Sequence, residues 1–186
     1  MDYIITALIS YLFGSIPFGY LFTKILLKKD IRNVGSGNIG ATNVLRTGNK
    51  SLGYLTLVLD IAKAVVPVIY IKFNYPDLVY ISALCAFLGH LFPIWLKFKG
   101  GKGVATFVGI LISMNIYYAV VFGIVWFLTF FISKYSSLSS LFASISISIY
   151  LLIIDKVNII FFNIMFVLIF YTHREHIKRL INKEES

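Results

Sequence analysis

The sequence is poor in cysteine and in acidic residues, and each shortage removes a class of site. Its one cysteine, Cys85, lies inside an apolar run, so an intrachain disulfide is excluded. With a single cysteine, the sequence does not indicate whether the protein lies in an oxidising or a reducing compartment. Eight acidic residues stand against 17 lysines and arginines. No carboxylates, cysteines or histidines have the spacing of metal ligands, so we expect neither a metal nor a cofactor.

Apolar residues dominate what is present. They make up 59% of the 186 residues, and the mean hydropathy is +0.86. Several runs approach the roughly 20 residues that span a bilayer, and a soluble domain of this size could not hide so much apolar surface. The first run has neither a basic leader nor a small-residue cleavage site, so we expect it to be a retained span. The composition therefore predicts a polytopic membrane protein.

The distribution of basic residues argues against nucleic-acid binding. The formal net charge is +9, but lysines and arginines cluster between apolar runs. They do not form a stripe with interleaved aromatic residues on one soluble face. This is the positive-inside pattern of a membrane protein. It predicts an amino terminus outside, a carboxyl terminus in the cytoplasm and no nucleic-acid partner.

The apolar runs predict an all-α bundle of about seven transmembrane helices in a single domain, residues 1–186. The core of the first span, residues 14–19, contains two glycines and a proline and should kink the helix. In the second span, Asp60 and Lys63 lie three residues apart, and we expect an ion pair or a direct role at the site. The predicted spans are 3–27, 51–73, 78–96, a hairpin of two short helices within 103–134, 138–154 and 157–172.

A polar, glycine-rich segment, GSGNIGATNVLR, follows the first span at Gly35–Arg46. Glycines can turn backbone N–H groups onto an anion, and arginine adds a forked, permanently charged donor. The segment therefore predicts a phosphate or carboxylate site at the membrane face. Its candidate residues are Ser36, Gly37, Asn38, Gly40, Thr42, Asn43 and Arg46.

A second segment, GHLFPIWLKFKGGKGVAT at residues 89–106, is predicted to end the third span on the same face. It is not a Walker nucleotide loop, because Leu96 stands where that loop needs glycine and Gly103 where it needs a hydroxyl. A glycine-rich anion site remains. Its candidate residues are His90, Lys97, Gly100, Gly101, Lys102 and Gly103. Such a histidine near a helix end can equally be a satisfied structural donor.

The tail HREHIKRL, residues 173–180, adds a third donor-rich segment. Together the three segments resemble those of the bacterial acyl-phosphate:glycerol-3-phosphate acyltransferase family, the PlsY family. The resemblance covers essentially the whole chain. It includes GSIPFGYL in the first span, the Asp60-x-x-Lys63 pair and the YSSLSSL turn.

The resemblance implies a multi-pass enzyme of the bacterial inner membrane with its active site at the cytoplasmic face. Such an enzyme transfers a fatty acyl group from acyl phosphate to the 1-hydroxyl of sn-glycerol 3-phosphate. The products are lysophosphatidic acid and inorganic phosphate, in the first step of phospholipid biosynthesis. Contact with membrane lipids is implied, and functional contact with the enzyme that produces acyl phosphate is an open expectation.

The resemblance also implies roles for individual residues. Ser36, Arg46 and His173 correspond to functional residues of the family, and the glycines around Lys102 are associated with holding glycerol phosphate. Two positions depart from the family pattern, since an asparagine is His176 here and a later glycine is Lys183. A neutral imidazole offers one donor and one acceptor, so His176 could substitute imperfectly or introduce pH dependence.

Residue chemistry fits this reaction independently. Both substrates carry phosphate, and an acyl phosphate is already activated, so positioning and charge stabilisation suffice without a covalent intermediate. No carboxylate stands at a plausible base position, so we expect a phosphate oxygen of the donor to accept the hydroxyl proton. His90 or His173 is the alternative base. The alternative function is an anion or lipid-phosphate transporter, although transporters commonly contain internal repeats and none is found in the sequence.

Overall fold

The computed structural model describes residues 2–182, and within them the regular structure is entirely helical. The chain divides into two compact units, Met1–Met114 and Asn115–Ser186. The first unit contains α1 (Tyr3–Ser15), α2 (Phe18–Leu26), α3 (Ala41–Leu45), α4 (Lys50–Asn74), α5 (Val79–Leu91) and α6 (Val104–Met114). The second contains α7 (Ile116–Ser133), α8 (Ser136–Ile154), α9 (Ile159–Thr172) and α10 (Arg174–Ile181).

Among the described residues, five helical segments are long and apolar enough to cross a membrane. They are Tyr3–Leu26, Lys50–Asn74, Pro76–Leu96, Ile116–Ser133 and Ser136–Ile154, and the shorter α6 and α9 are also apolar. Large side chains that face outward suit contact with lipid, since Phe73, Ile132 and Val157 are 79%, 82% and 83% exposed. The predicted all-α, polytopic membrane fold is confirmed. The number of crossings and the orientation of the termini stay predictions.

The predicted interruption between residues 103 and 134 lies at Asn115, whose side chain accepts a hydrogen bond from the N–H of Tyr117 and so caps α7. The prediction of two short helices is wrong for the second of them. Helix α7 has 18 residues, because neither a charged residue nor a proline interrupts the run after the cap.

The first span is broken between α1 and α2, as predicted from its glycines and proline. Proline has no N–H and disfavours helical backbone in the residue before it, so α1 ends at Ser15 and Ile16 is extended. The carbonyl of Ile16 accepts a hydrogen bond from Lys63 Nζ at 2.8 Å. A lysine on α4 therefore satisfies a backbone group that the break leaves without a helical partner.

Glycines let α1 and α5 approach closely. A Cβ added to Gly14 would lie 2.0 Å from the carbonyl oxygen of Ala86, and one added to Gly89 would lie 2.3 Å from that of Tyr11. Beside them, the buried hydroxyls of Ser10 and Ser82 are 2.8 Å apart. Small residues at this interface allow backbone-to-backbone contact, as in other membrane helix pairs.

In the second unit, α8 pairs with α7 and carries a series of serines. Ser139, Ser140 and Ser144 donate hydrogen bonds to carbonyls four residues earlier, which satisfies their hydroxyls within the helix. After α8, the carboxylate of Asp155 accepts hydrogen bonds from the Tyr118 hydroxyl and the Asn158 amide. These hydrogen bonds lower the pKa of Asp155.

We predict that Gly14→Ala destabilises the protein in detergent by about 1–3 kcal/mol, because the new methyl group collides with backbone of α5. Thermal unfolding can be followed with a thiol-reactive dye, since the single cysteine, half-buried Cys85, lies on α5 beside Ala86. The matched control is Gly123→Ala in α7, where no described atom lies within 4 Å of the added Cβ. Equal unfolding temperatures for Gly14→Ala and the unaltered protein would contradict the close packing.

Candidate functional site

The side chain of Asn43 organises the first glycine-rich segment. It is 2% exposed, and its amide nitrogen donates to the carbonyls of Ile31, Val34 and Asn38 at 3.2, 2.9 and 2.8 Å. Its amide oxygen accepts a hydrogen bond from the N–H of Ser36 at 3.1 Å. The predicted binding of substrate by Asn43 stays a prediction. In this structure its polar atoms hold the loop in shape and position the N–H of Ser36.

Ser36 lies between two glycines with left-handed backbone, Gly35 at φ 51° and Gly37 at φ 71°. The Arg46 side chain folds back over this turn, because a Cβ on Gly35 would lie 2.9 Å from Arg46 Cδ. Ser36 is half-buried and Arg46 is exposed. The structure therefore brings the two predicted catalytic residues of this segment to one turn.

The other residues of the segment form the short helix behind the turn. Gly40 caps α3, and its carbonyl accepts hydrogen bonds from the N–H groups of Asn43 and Val44. Asn38 contributes a carbonyl to the Asn43 network and is half-buried, whereas Thr42 on α3 is exposed.

The second glycine-rich segment folds back onto the end of α5. After α5, the chain turns at Pro93, passes through residues 94–96 and takes left-handed backbone at Lys97 (φ 53°) and Phe98 (φ 61°). The N–H groups of Gly100 and Gly101 then donate to the carbonyls of Leu91 and His90, both at 3.1 Å. These two N–H groups complete the end of α5, so they do not supply the backbone anion donors that the sequence suggested.

The remaining donors of this segment lie further along the chain. Lys102 is half-buried between Gly101 and Gly103, and Lys97 is exposed on the turn. Gly103 has φ 86° and lies against Phe87, and α6 begins at the next residue. First-turn N–H groups of a helix have no partner inside that helix and favour anions. Lys102 and the first-turn N–H groups of α6 are therefore the groups of this turn with the chemistry to bind an anion.

His90 lies directly beneath the turn. It is 4% exposed, and a Cβ on Gly101 would lie 2.1 Å from its Nε2, so only glycine fits over the imidazole. On its other side are Asp60 and Lys63, which are 2% and 4% exposed. Their predicted ion pair is present, with 2.8 Å between Lys63 Nζ and Asp60 Oδ1.

An exposed ion pair precedes the first segment. Arg32 donates two side-chain hydrogen bonds to Asp30, at 2.9 and 2.6 Å, and these hold the pKa of the Asp30 carboxyl at about 2. Arg32 itself is held charged, since the same contact raises its pKa. This guanidinium is therefore engaged by a carboxylate of its own segment.

A buried apolar cluster lies beneath both turns. Ile39 and Val44 from the first segment, and Ile31 just before it, pack with Leu52 of α4 and with Leu96 of the second segment. Each is at most 9% exposed. Burial of these side chains fixes the two segments against each other. The first and second predicted anion-binding segments therefore lie next to each other in the first unit.

The third segment lies in the second unit. His173 ends α9, is 1% exposed, and places Nδ1 2.8 Å from the carbonyl oxygen of Ile169. Because a carbonyl only accepts, this contact favours the Nδ1–H tautomer. His176 is 7% exposed on α10, and its ring centroid is 6.4 Å from that of His173. Lys183, the second position that differs from the family pattern, is outside the described residues.

Sequence reasoning missed three contacts that shape the site. These are the Asn43 network, the capping of Ile16 by Lys63, and the closure of Gly100 and Gly101 onto α5. The only sequence signal for the last was the Pro93 that ends the helix within a glycine-rich stretch.

Comparisons with known proteins agree with this geometry. Residues 4–183 match the family described as glycerol-3-phosphate acyltransferase. A glycerol-3-phosphate acyltransferase of Pelagibacter ubique (strain HTCC1062) is 69% identical over 186 residues, covering 100% of this chain and 97% of the relative. One of Rhodopseudomonas palustris (strain HaA2) is 49% identical, covering 99% and 94%.

Two crystal structures of PlsY (YgiH), an integral membrane glycerol 3-phosphate acyltransferase, have the same fold. Its glycerol 3-phosphate form matches with a TM-score of 0.94 and 36% identity. Its lysophosphatidic acid form matches with a TM-score of 0.90 and 34% identity. Each match covers 99% of this chain and 94% of the other chain.

The fold and these matches define a polytopic membrane acyltransferase that acts on glycerol 3-phosphate. The chain belongs to the PlsY family of glycerol-3-phosphate acyltransferases.

We predict that Asn43→Asp destabilises the protein by about 2 kcal/mol, because a carboxylate cannot donate to the loop carbonyls that the amide now serves. Unfolding in detergent, followed by tryptophan fluorescence, measures the change. Asn33→Asp is the matched control, since Asn33 is exposed two residues before the same segment and should tolerate the substitution. Equal losses in the two variants would show that Asn43 does not organise the loop.

Proposed function

We propose that this protein transfers a fatty acyl group from acyl phosphate to the 1-hydroxyl of sn-glycerol 3-phosphate, giving lysophosphatidic acid and inorganic phosphate. Family membership supports acyl transfer to glycerol 3-phosphate. The observation that best supports acyl phosphate as the donor is that two turns with cationic residues pack on one buried apolar cluster. Two phosphate-bearing substrates need two adjacent sources of positive charge, and Arg46 and Lys102 lie on these turns.

An apolar groove beside the turns supports an acyl donor with a long chain. The groove has a volume of about 330 Å³ and is lined by Ile16, Pro17, Tyr20, Leu21, Trp95 and Leu96. Leu96 belongs both to this wall and to the cluster beneath the turns. An acyl chain in the groove would therefore place its phosphate end near the cationic turns.

The chemistry requires the protein mainly to position the substrates. The glycerol hydroxyl attacks the carbonyl carbon of the acyl phosphate, a C–O bond forms, and phosphate leaves with the electrons of the broken C–O bond. Arg46 and Lys102 stabilise the negative charge on the phosphates, and Ser36 offers a hydroxyl at the turn. Together these groups hold the hydroxyl and the acyl carbonyl close enough to react.

The proton of the glycerol hydroxyl goes to a phosphate oxygen of the acyl donor in this proposal. The carboxylates near the two turns are engaged, since Asp30 pairs with Arg32 and Asp60 pairs with Lys63. His90 is buried beneath Gly101, which makes it a poor candidate for direct contact with the hydroxyl. His173 is the alternative base, because Nδ1–H donation to Ile169 would leave Nε2 as the basic nitrogen.

We place this reaction at the cytoplasmic face of the bacterial inner membrane, where basic segments favour the cytoplasm. His173 and His176 stay candidate site residues of the second unit, as the family resemblance implies, and metal chemistry is not part of the proposal. Functional contact with the enzyme that supplies acyl phosphate would deliver the donor to the same face. Anion or lipid-phosphate transport is the second candidate, favoured only by the broken first span.

The test is release of inorganic phosphate from palmitoyl phosphate by purified protein in detergent, with and without glycerol 3-phosphate. We expect release to depend on the acceptor and to fall at least about 100-fold in Arg46→Ala and Lys102→Ala, because each removes a charge that stabilises the transition state. Ser36→Ala should also be strongly impaired. Lys99→Ala is the matched control on the second turn and should stay within about twofold, since its side chain is exposed.

Absence of acceptor-dependent release by the unaltered protein would contradict the proposal. Turnover in detergent, without two compartments, would exclude transport as the measured activity. Equal losses in Lys99→Ala and Lys102→Ala would contradict the specific role of Lys102.

A further inference from the structure

A buried polar cluster lies behind the second turn and is not used by the proposed chemistry. Asp60, Lys63 and His90 are 2%, 4% and 4% exposed, and they come from α4 and α5. Lys63 bridges Asp60 Oδ1 and the Ile16 carbonyl at 2.8 Å each. This anchoring ties Asp60 to the broken first span and leaves its carboxylate beside His90 of α5. A carboxylate held in this way can orient a neighbouring group.

That neighbouring group is His90. Its Nδ1 lies 3.9 Å from Asp60 Oδ1 and has no hydrogen-bond partner within residues 2–182. The separation is about 1 Å longer than a hydrogen bond, so a small shift of the ring would form one. A carboxylate facing Nδ1 favours the neutral tautomer with its proton on that nitrogen.

His90 is also tied to the turn that carries Lys102. Its carbonyl accepts the Gly101 N–H at 3.1 Å, and its Nε2 edge lies against Gly101, where a Cβ would come within 2.1 Å. The next carbonyl, of Leu91, accepts the Gly100 N–H. The imidazole and the turn therefore share one packed arrangement, and displacement of either moves the other.

We propose that Asp60 is a positioning residue for substrate binding, acting through His90 on the turn Gly100–Gly103. Asp60 holds the imidazole in the Nδ1–H tautomer, and the gap between them closes when a phosphate occupies the turn at Lys102. Catalytic hydrogen bonds that are long in an unliganded protein commonly tighten in the complex. The inference rests on the proposed function, in which this turn binds a substrate phosphate.

A double-mutant cycle tests whether Asp60 acts through His90. Asp60→Asn, His90→Gln and the double variant are compared for kcat and for the KM values of glycerol 3-phosphate and palmitoyl phosphate. In the parent protein, Asp60→Asn should raise at least one KM about tenfold, as expected for loss of a charged hydrogen bond. In the His90→Gln background it should raise the same KM less than about twofold, because the intermediary is gone.

Equal KM effects of Asp60→Asn in both backgrounds would overturn the inference, since the residue would then act only through the Lys63 pair. Asp77→Asn, an exposed carboxylate on the same unit, is the matched control and should leave both KM values unchanged. If Asp60→Asn fails to fold, Asp60→Leu with Lys63→Met takes its place in the cycle. Such apolar replacements of a buried ion pair are commonly tolerated.

A spectroscopic readout separates this inference from the proposed function. The chain has three histidines, so imidazole ¹⁵N signals of ¹⁵N-histidine-labelled protein can be assigned with His90→Gln. We expect His90 as the Nδ1–H tautomer, a shift of its Nδ1 signal on addition of glycerol 3-phosphate, and loss of that shift in Asp60→Asn. An Nε2–H tautomer, or a shift that persists in Asp60→Asn, would overturn the inference even with turnover intact. Failure of turnover alone would overturn only the proposed function.

Discussion

The backbone break at Ile16 and Pro17 imposes the central constraint on this structure. A carbonyl released inside an apolar bundle has to find donors, and Lys63 supplies one from α4 in addition to the Phe18 N–H. An ammonium buried there needs a carboxylate in turn, and Asp60 lies one helical turn earlier. The pair therefore joins the broken first span to α4 and places a fixed negative charge next to His90 on α5.

In the two glycine-rich turns, backbone groups and charged side chains have different roles. In the second turn, Gly100 and Gly101 use their N–H groups to finish α5, and the absence of side chains lets the turn lie on His90. In the first, the Asn43 amide shapes the loop. Backbone groups thus mainly set the geometry, whereas in the proposed reaction Arg46, Lys102 and the start of α6 supply the positive charge that faces a phosphate. The shared apolar cluster holds the two turns next to each other.

The sequence predicted the helical membrane fold, the break in the first span and the Asp60–Lys63 pair, because these follow from local composition and spacing. It did not predict which side chains face a ligand. Asn43 and the glycines near Lys102 belong to motifs rich in possible donors, but their partners are backbone groups that only the folded chain brings close. The length of α7 was underestimated because Ser113 and Asn115 mark one interruption, and no second polar break follows.

In the proposed function, the two turns of the first unit bind substrate together. Hydrogen exchange of the purified protein, followed by mass spectrometry with and without glycerol 3-phosphate, measures this binding at both turns at once. We expect slower exchange in peptides covering residues 34–46 and 97–106 together, and unchanged exchange around residues 74–78. Protection of neither turn at a saturating ligand concentration, or protection confined to residues 74–78, would contradict it.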